Sequence, residues 1–315
     1  MSTVLHHRHE ITLLPDCARV ILRPFIPGNA QRTRTIIDRI LALSEDEVGR
    51  QLAIVRREFD ERHFHIASTL HAHFEKVRQH VVSEKTLSLD RQLLIGALFS
   101  GEYALESAAL FNPSIVPHPD QSGIPEGGLR FIMSLRATGE GHISSIEFRA
   151  GEIAPDGHIS LEPISRFVTE PEIVPDPSYE KESFTTKLRE MGFQDKYVSA
   201  VMGPLGEHFT RSDLARQMGK VRKEIKPSTH HLRRTLEHIQ WLADSNYELR
   251  FPDSLAISER IIFPVSPNES NGIEDARFVR FTDDDGSVMY YATYTAYNGR
   301  NILPQFIETT DFLHF

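Results

Sequence analysis

The sequence has very little cysteine, no excess of basic residues and no long hydrophobic run. Cys17 is the only cysteine in 315 residues, so an intramolecular disulfide is impossible and a cytoplasmic location is expected. The formal net charge of −9 argues against nucleic acid or an anionic membrane as partner, because no excess of cations is left to neutralise phosphates. The polar first ten residues do not read as a secretory signal. The longest apolar run, Leu93 to Phe99, contains Gly96 and is far too short to cross a bilayer.

Motifs for nucleotide and metal binding are also missing from the sequence. There is no Gly-x-x-x-x-Gly-Lys loop, and the pair Gly139 and Gly141 is too short for a dinucleotide fingerprint. Sixteen histidines are present, but none has the His-Glu-x-x-His spacing of a helical zinc site and no cysteine ligands support them. We therefore expect solvated or interface histidines, no metal site and no cofactor. The clustered ones are His6, His7, His9, His63, His65, His71, His73, His230 and His231.

The hydrophobic pattern divides the chain into five segments. They are residues 1–28 with two strands and a turn, a helical arm at 29–110, a β region at 111–170, a helical insertion at 171–250, and a second β region at 251–315. Short strands joined by tight turns suggest a β-sandwich or a β-propeller. No strict internal repeat is visible, so the pattern alone does not decide between them.

Local signals mark the ends and the buried faces of several helices. Ser44 with Glu47 has the signature of a capping box, and Ser88 precedes another helix. Thr210 with Asp213 begins a third. Apolar residues spaced three and four apart predict one buried face on each of two helices. The two stripes are Val48, Leu52, Val55 and Phe59, and Leu232, Leu236, Ile239 and Leu242.

Strands are predicted on both sides of the helical insertion. The first two should pair around the turn Pro15-Asp16, and the run from Thr282 to Gly286 is a good hairpin signal. Gly139-Glu140-Gly141 should join two further strands. The predicted strands are Ile11 to Leu14, Ala18 to Leu22, Leu129 to Leu135, Ile143 to Ala150, His158 to Leu161, Arg260 to Pro264, Arg277 to Phe281, Met289 to Tyr297 and Gln305 to Thr309.

Two adjacent acids, Glu274 and Asp275, precede the strand that begins at Arg277. Neighbouring residues on an extended chain point to opposite faces, so the two carboxylates are predicted to have different tasks. One can face a cavity while the other braces the backbone or a neighbouring cation. This arrangement suits the single general acid of an enzyme that cleaves a glycosidic bond. A solvated acidic turn before a strand has the same pattern.

Four stretches of the sequence carry a family resemblance. They are Phe111-Asn112-Pro113-Ser114, the run Leu129 to Ala137, the run Gly272 to Arg277, and Tyr294 to Arg300. Together they resemble glycoside hydrolase family 130, the mannoside phosphorylases and mannosidases, and most of all the β-1,2-mannoside phosphorylase type with an added helical arm. The resemblance implies a mainly β fold with helical additions. This fold is a five-bladed β-propeller, present in part, with an N-terminal helical arm and a helical insertion.

The resemblance also implies roles for individual residues. Asp275 matches the general acid, which protonates the bridging oxygen directly or through a sugar hydroxyl. Arg136 and Arg300 match the arginines that hold inorganic phosphate. The residues implied to bind the sugar are Asn112, Arg130, Glu274 and Asn298. Ala276 departs from the family pattern, in which many members have proline, and this loosens the turn but leaves the acid in place.

The implied activity is inverting phosphorolysis of β-mannosides, with β-1,2-linked substrates, to give α-mannose 1-phosphate. An inverting displacement needs an acid on the leaving-group side and a nucleophile on the other face of the sugar. Water needs a carboxylate base and phosphate does not, so two phosphate-binding arginines favour phosphorolysis. The alternatives are a β-mannoside hydrolase of the same family and an inactive truncated remnant that serves assembly or binding.

The expected partners are a β-mannoside oligosaccharide and inorganic phosphate as co-substrate. Residues 29–109 are expected to join copies of the chain into a homo-oligomer, because a long apolar stripe needs a partner surface. About two to two and a half blades fit the two β regions, since one blade takes roughly 40–45 residues. The sequence is therefore expected to be a fragment of a longer domain.

Overall fold

The computed structural model describes residues 10–82, 86–226 and 229–315. The structure is a mixture of 36% helix and 29% strand. Strands therefore do not predominate, which corrects the mainly β expectation. The reason is that the arm and the insertion are each complete helical units with their own apolar core.

The described part of the N-terminal arm contains four α-helices. The side chains of Asn29, Ser44 and Ser88 accept backbone N–H groups at the starts of three of them, as polar N-caps do. The predicted helix starts at Ser44 and Ser88 are thus confirmed. The helices are α1 (Ala30–Leu41), α2 (Glu45–Phe59), α3 (Ile66–Val77) and α4 (Leu89–Leu98).

The core of the arm is built around α4. Gly96 allows α3 to approach closely, since a Cβ at this position would lie 1.9 Å from the carbonyl oxygen of Leu70. Val48 and Leu52 of the predicted stripe are buried in this core. Because these residues of the stripe pack inside the arm, they do not by themselves require a second copy of the chain. The homo-oligomer remains a prediction.

An antiparallel ribbon closes the arm at its base. It consists of β1 (Val20–Pro24) and β2 (Ser100–Ala104), and it pairs Pro24 with Ser100. The start and the end of the helical arm are therefore neighbours in space.

The predicted local strand pair before the arm is wrong. Residues 11–14 lie outside any strand, and the second predicted strand pairs with β2 instead. Burial explains the difference. Ile21 packs with Leu105, and Leu22 packs with Leu70, both of which are far away in sequence and buried.

The first β region folds into an antiparallel meander. Three of its strands overlap the predicted ones, and the turn around Gly139 joins two of them. The strands are β3 (Ala109–Pro117), β4 (Leu129–Thr138), β5 (Ser144–Ile153) and β6 (Ile159–Leu161), paired in this order.

The helical insertion is a separate apolar unit. The capping box of Thr210 with Asp213 is confirmed, and the second predicted stripe is buried. Pro227 and Ser228 predict a break between two helices of the insertion, and both lie outside the described residues. The helices are α5 (Lys181–Glu190), α6 (Lys196–Met202), α7 (Arg211–Glu224) and α8 (His230–Asp244). Two short ribbons pair β7 (Glu172–Ile173) with β10 (Leu249–Arg250), and β8 (Ser178–Glu180) with β9 (His208–Thr210).

The second β region is a three-stranded antiparallel sheet that continues from the first. A parallel bridge between Gly272 and Ser144 joins the two sheets. The predicted strand near Arg260 shortens to β11, which pairs with β5. The strands are β11 (Ile261–Ile262), β12 (Gly272–Thr282), β13 (Val288–Tyr297) and β14 (Ile302–Thr309).

Aromatic side chains fill the space between the two sheets. The ring of Phe148 from β5 lies 6.1 Å from that of Phe278 on β12 and 5.7 Å from that of Phe312. The Phe312 ring also lies 4.9 Å from the ring of Tyr290 on β13. Burial of these rings fixes the second sheet against the first, and β12 comes to lie beside β3.

Four charged side chains are buried where the N-terminal segment meets the first sheet. Arg19 contacts Glu106 and Glu147 at 2.8 Å each, and Arg149 contacts the same two carboxylates at 2.7 and 3.1 Å. We call this set the buried charge ring. Its two guanidiniums balance its two carboxylates, which is the condition for burying charges at tolerable cost.

Candidate active site

Two β-bulges face each other where β3 runs beside β12. The pairing of β3 with β4 shifts around Asn112, and the pairing of β12 with β13 shifts around Asp275. Both residues have left-handed backbone, with φ of 56° at Asn112 and 58° at Asp275. Such backbone costs about 1–3 kcal/mol per residue and persists where the surroundings enforce it, often at functional sites.

Several hydrogen bonds connect the two bulges. The amide Nδ2 of Asn112 donates to Oδ1 of Asp275 at 2.6 Å. The Nη1 of Arg277 donates to the carbonyl oxygen of Pro113 at 2.7 Å. Another runs from the backbone N–H of Phe278 to Oγ of Ser114 at 3.0 Å. Together they hold the Asp275 carboxylate in one place.

Arg136 on β4 brings a positive charge to the same place. Its Nη2 lies 2.6 Å from Oε1 of Glu274, and its Nη1 lies 3.5 Å from Oδ1 of Asp275. The guanidinium stands over the ring of Phe111, with the Cζ atom 5.0 Å from the ring centroid. Oγ of Ser144 accepts a hydrogen bond from Nε at 3.0 Å. These contacts fix the plane of the guanidinium.

The bulge changes the predicted orientation of the two adjacent acids. Glu274 and Asp275 were expected on opposite faces of a strand, but both carboxylates reach Arg136. That expectation is wrong because Asp275 occupies the bulge, where the alternation of a regular strand is interrupted. Asp275 is the more open of the two, with 39% of its side chain exposed against 24% for Glu274.

Close packing at the start of β12 supports this geometry. Gly272 has φ of 136°, and a Cβ there would lie 2.7 Å from the backbone nitrogen of Ser144. Only glycine fits such an approach without a shift of the backbone. Oγ of Ser144 also accepts a hydrogen bond from Nε of Arg136. Ser144 therefore contacts both the start of β12 and the guanidinium of Arg136.

A buried carboxylate anchors the segment that leads into β12. Oε1 of Glu269 accepts from the hydroxyls of Tyr247 and Tyr294 at 2.8 and 2.6 Å. Its Oε2 accepts the backbone N–H groups of Val265 and Ser266 at 3.0 and 2.8 Å. Burial, together with the charge of Glu269, raises the pKa of Tyr294 above its ordinary value, so its hydroxyl stays a donor.

Arg300 and Asn298 lie in the turn between β13 and β14. Oδ1 of Asn298 accepts the backbone N–H groups of Arg300 and Asn301 at 3.0 and 2.8 Å, which shapes this turn. The turn lies against Asn271, just before β12 begins. Arg300 is exposed, and among the described residues its side chain makes no hydrogen bond or ion pair. The structure thus places both residues on the adjoining turn and not in the bulge contacts.

Arg130 lies apart from the bulges. It is at the start of β4, six residues before Arg136, which corresponds to about 20 Å along an extended strand. Its guanidinium binds Glu162, with 2.6 Å from Nη2 to Oε1, and lies 3.8 Å from Asp120. The structure does not bring Arg130 to Asp275.

The sequence predicted no role for several residues that shape the candidate site. Phe111 and Ser114 flank the left-handed Asn112, and Arg277 reaches across to β3. All three lie within the stretches that carry the family resemblance, and the resemblance could therefore have pointed to them. Ser144 had no such signal, because its contact with Arg136 depends on how two strands pair.

Histidines and acidic residues form no metal centre in the part of the chain that the structure describes. No group of three or more histidine, cysteine, aspartate and glutamate side chains there could hold a metal ion. His63 binds Glu102 at 2.7 Å, and His73 Nδ1 lies 2.6 Å from Oγ of Ser100. Burial lowers the pKa of His73 to about 4, so this ring is neutral at physiological pH.

Comparisons with known proteins leave the family open. No protein-family model, curated protein or solved structure matches this chain. Within the described ranges, no helix is long and apolar enough to cross a membrane. The geometry of the two bulges is therefore the evidence on which a function can be argued.

Proposed function

We propose that the protein is an inverting glycoside phosphorylase that acts on β-mannosides, with β-1,2-linked substrates. Asp275 acts as the general acid, and Arg136 holds the phosphate that attacks the anomeric carbon. The products are α-mannose 1-phosphate and the shortened sugar. The observation that carries the proposal is the pair of strained bulges, which present a half-open carboxylate, its amide partner and an arginine at one place.

Asn112 supports the role of Asp275 through its geometry. A general acid contributes most when its carboxyl is held in the direction of the departing oxygen. The 2.6 Å contact from Asn112 supplies this restraint on one oxygen, and 39% exposure of the side chain leaves room for a substrate. In this proposal Asn112 is a positioning residue as well as a contact for the sugar.

The proposal includes a five-bladed β-propeller as the fold of the β regions. The two antiparallel sheets stand side by side with β3 adjacent to β12, an arrangement that neighbouring blades have. It also includes the turn that carries Asn298 and Arg300, which lies beside the entry of β12 and can complete the phosphate site. The homo-oligomer and the cytoplasmic location belong to the same proposal.

One observation favours hydrolysis as the second candidate. Both terminal nitrogens of Arg136 already face protein carboxylates, with the Glu274 contact at 2.6 Å. Phosphate would have to compete with Glu274 for this arginine, whereas water would not. A β-mannoside hydrolase would then use a second carboxylate to activate water.

The test is an assay of β-1,2-mannobiose with and without inorganic phosphate. We expect consumption only with phosphate, with α-mannose 1-phosphate detected by phosphorus NMR. Asp275→Asn should abolish turnover, because the amide cannot donate an acidic proton. Asp284→Asn, on the exposed turn between β12 and β13, is the matched control and should retain activity. Equal turnover without phosphate would establish the hydrolase, and no turnover would favour the inactive remnant.

A further inference from the structure

The strand β14 lies at the edge of the second sheet. In the described part of the chain it pairs with β13 only, and it is the outermost strand of the second sheet. The first sheet differs, because β6 covers the outer edge of its third strand, β5. An open strand edge presents backbone donors and acceptors that another strand can use.

The turn between β13 and β14 defines which groups face outward. The N–H of Asn298 donates to the carbonyl oxygen of Asn301, so the next pair, Tyr297 with Ile302, is not hydrogen-bonded. Antiparallel ladders alternate from one pair to the next. The residues whose backbone groups face outward are therefore Ile302, Pro304, Phe306 and Glu308. Since proline has no N–H, three donors remain on this edge.

A groove of about 1000 Å³ runs along this edge. One wall is β14, and the opposite wall comes from the helical insertion with Met191 and Trp241, both partly exposed. Phe315, which is partly exposed, contributes further apolar surface. A strand edge facing apolar and aromatic side chains across a groove is the arrangement that binds extended peptides by strand addition.

The lining of the groove is acidic. Glu180, Glu248 and Glu308 are exposed, and none forms an ion pair with a described residue. The cation on this lining, Lys187, is paired with Glu190 at 3.0 Å. An occupant with lysine or arginine side chains is therefore complementary in charge.

We propose that the groove beside β14 binds an extended segment of a partner protein as an added strand. The segment pairs with the outward backbone groups of Ile302, Phe306 and Glu308. Its apolar side chains alternate with basic ones, so that one set meets the apolar wall and the other meets the acidic lining. This binding is independent of the proposed catalytic activity.

The test uses a fluorescein-labelled peptide of eight residues, blocked at both ends, in which valine alternates with lysine. Fluorescence anisotropy with the full chain should show saturable binding. The decisive variants are Phe306→Pro and Phe306→Ala. Both remove the same ring, which is 60% exposed, but only proline removes the outward N–H. Phe306→Pro should bind at least about tenfold more weakly than Phe306→Ala.

Further outcomes separate this proposal from others. Pro304 shows that the strand tolerates proline where the N–H faces outward, and thermal unfolding would verify that both variants fold. Glu248→Gln should weaken binding of the lysine peptide, and a peptide with glutamate in place of lysine should bind less well. No saturable binding up to about 1 mM, or equal affinities of the proline and alanine variants, would overturn the proposal. Self-association that is lost in Phe306→Pro would identify a second copy as the occupant instead.

Discussion

Arginines meet carboxylates at two places in the molecule, the buried charge ring and the paired bulges, and the two differ in exposure and backbone. Side chains in the ring are at most 3% exposed, whereas Asp275 at the bulges is 39% exposed. No ring residue has a positive φ, but Asn112 and Asp275 both do. The same chemical pairing therefore joins parts of the fold where it is buried, and forms the candidate site where it is open to solvent and the backbone is strained.

The largest expected effect is a difference in the stability lost when the arginine of each cluster is replaced. Arg19→Met leaves two carboxylates in the ring with one guanidinium, and should lower the free energy of unfolding by about 3–5 kcal/mol. Arg136→Met is the matched change at the bulges, where the partners remain open to water, and should cost about 1 kcal/mol or less. Urea denaturation of both variants measures the difference. Equal losses would remove the distinction between the clusters.

The ring should also make stability depend on pH. Burial and the neighbouring Glu147 raise the pKa of Glu106 to about 7 from an ordinary value of 4.5. The folded state thus holds this proton more tightly, so the stabilisation is present below pH 4.5 and is lost as the pH rises through about 7. Burial opposes ionisation of Glu147, but Arg19 and Arg149 lower its pKa. The stabilisation that the ionised Glu147 contributes to the folded state is therefore lost only at acidic pH.

The measurement is the free energy of unfolding between about pH 5 and pH 8. The free energy of unfolding should fall in the unmodified chain relative to Glu106→Gln across this interval, because the raised pKa of Glu106 acts only in the former. The lowered pKa of His73 raises stability with pH in both chains below about 6.5 and cancels in the difference. Glu126→Gln, at an exposed position, is the control and should keep the slope of the unmodified chain. Equal pH dependence of Glu106→Gln and the unmodified chain would show that Glu106 does not contribute.

A smaller effect tests the strain at the bulges. Asn112→Gly and Asn112→Ala both delete the amide, but only glycine adopts φ near 56° freely, so it should be more stable by about 1 kcal/mol. Asp275→Gly should likewise be more stable than Asp275→Ala. Thr293 on β13, which has no positive φ, is the control, and there glycine should be the less stable replacement. Thermal unfolding compares the pairs, and an alanine advantage at Asn112 would contradict the strain.

Local features of the fold were predictable from the sequence, and long-range ones were not. The starts of α2 and α4 followed from Ser44 and Ser88, because a cap acts within one turn. The partner of β1 was missed, since its strand lies beyond the whole helical arm. The buried charge ring left no signal, because Arg19 and Glu147 read as ordinary charges until the fold brings them together.

In the candidate site, too, the residues could be predicted from the sequence and their long-range contacts could not. Asp275 and Asn112 were found through the resemblance, but their contact depends on two bulges that face each other across sheets. Strand alternation placed Glu274 and Asp275 on opposite faces, and a bulge is the local exception that this rule does not include. Arg130 shared a stretch with Arg136, yet six residues of extended chain separate them.

The ribbon of β1 and β2 makes the helical arm an excursion from an otherwise continuous path. The chain leaves at Pro24 and returns at Ser100, and these two residues are partners across one strand spacing, about 5 Å. A hairpin turn of a few residues would bridge the same gap. In evolutionary terms, the arm can be gained, lost or exchanged as a cassette without rerouting the sheets that carry the paired bulges.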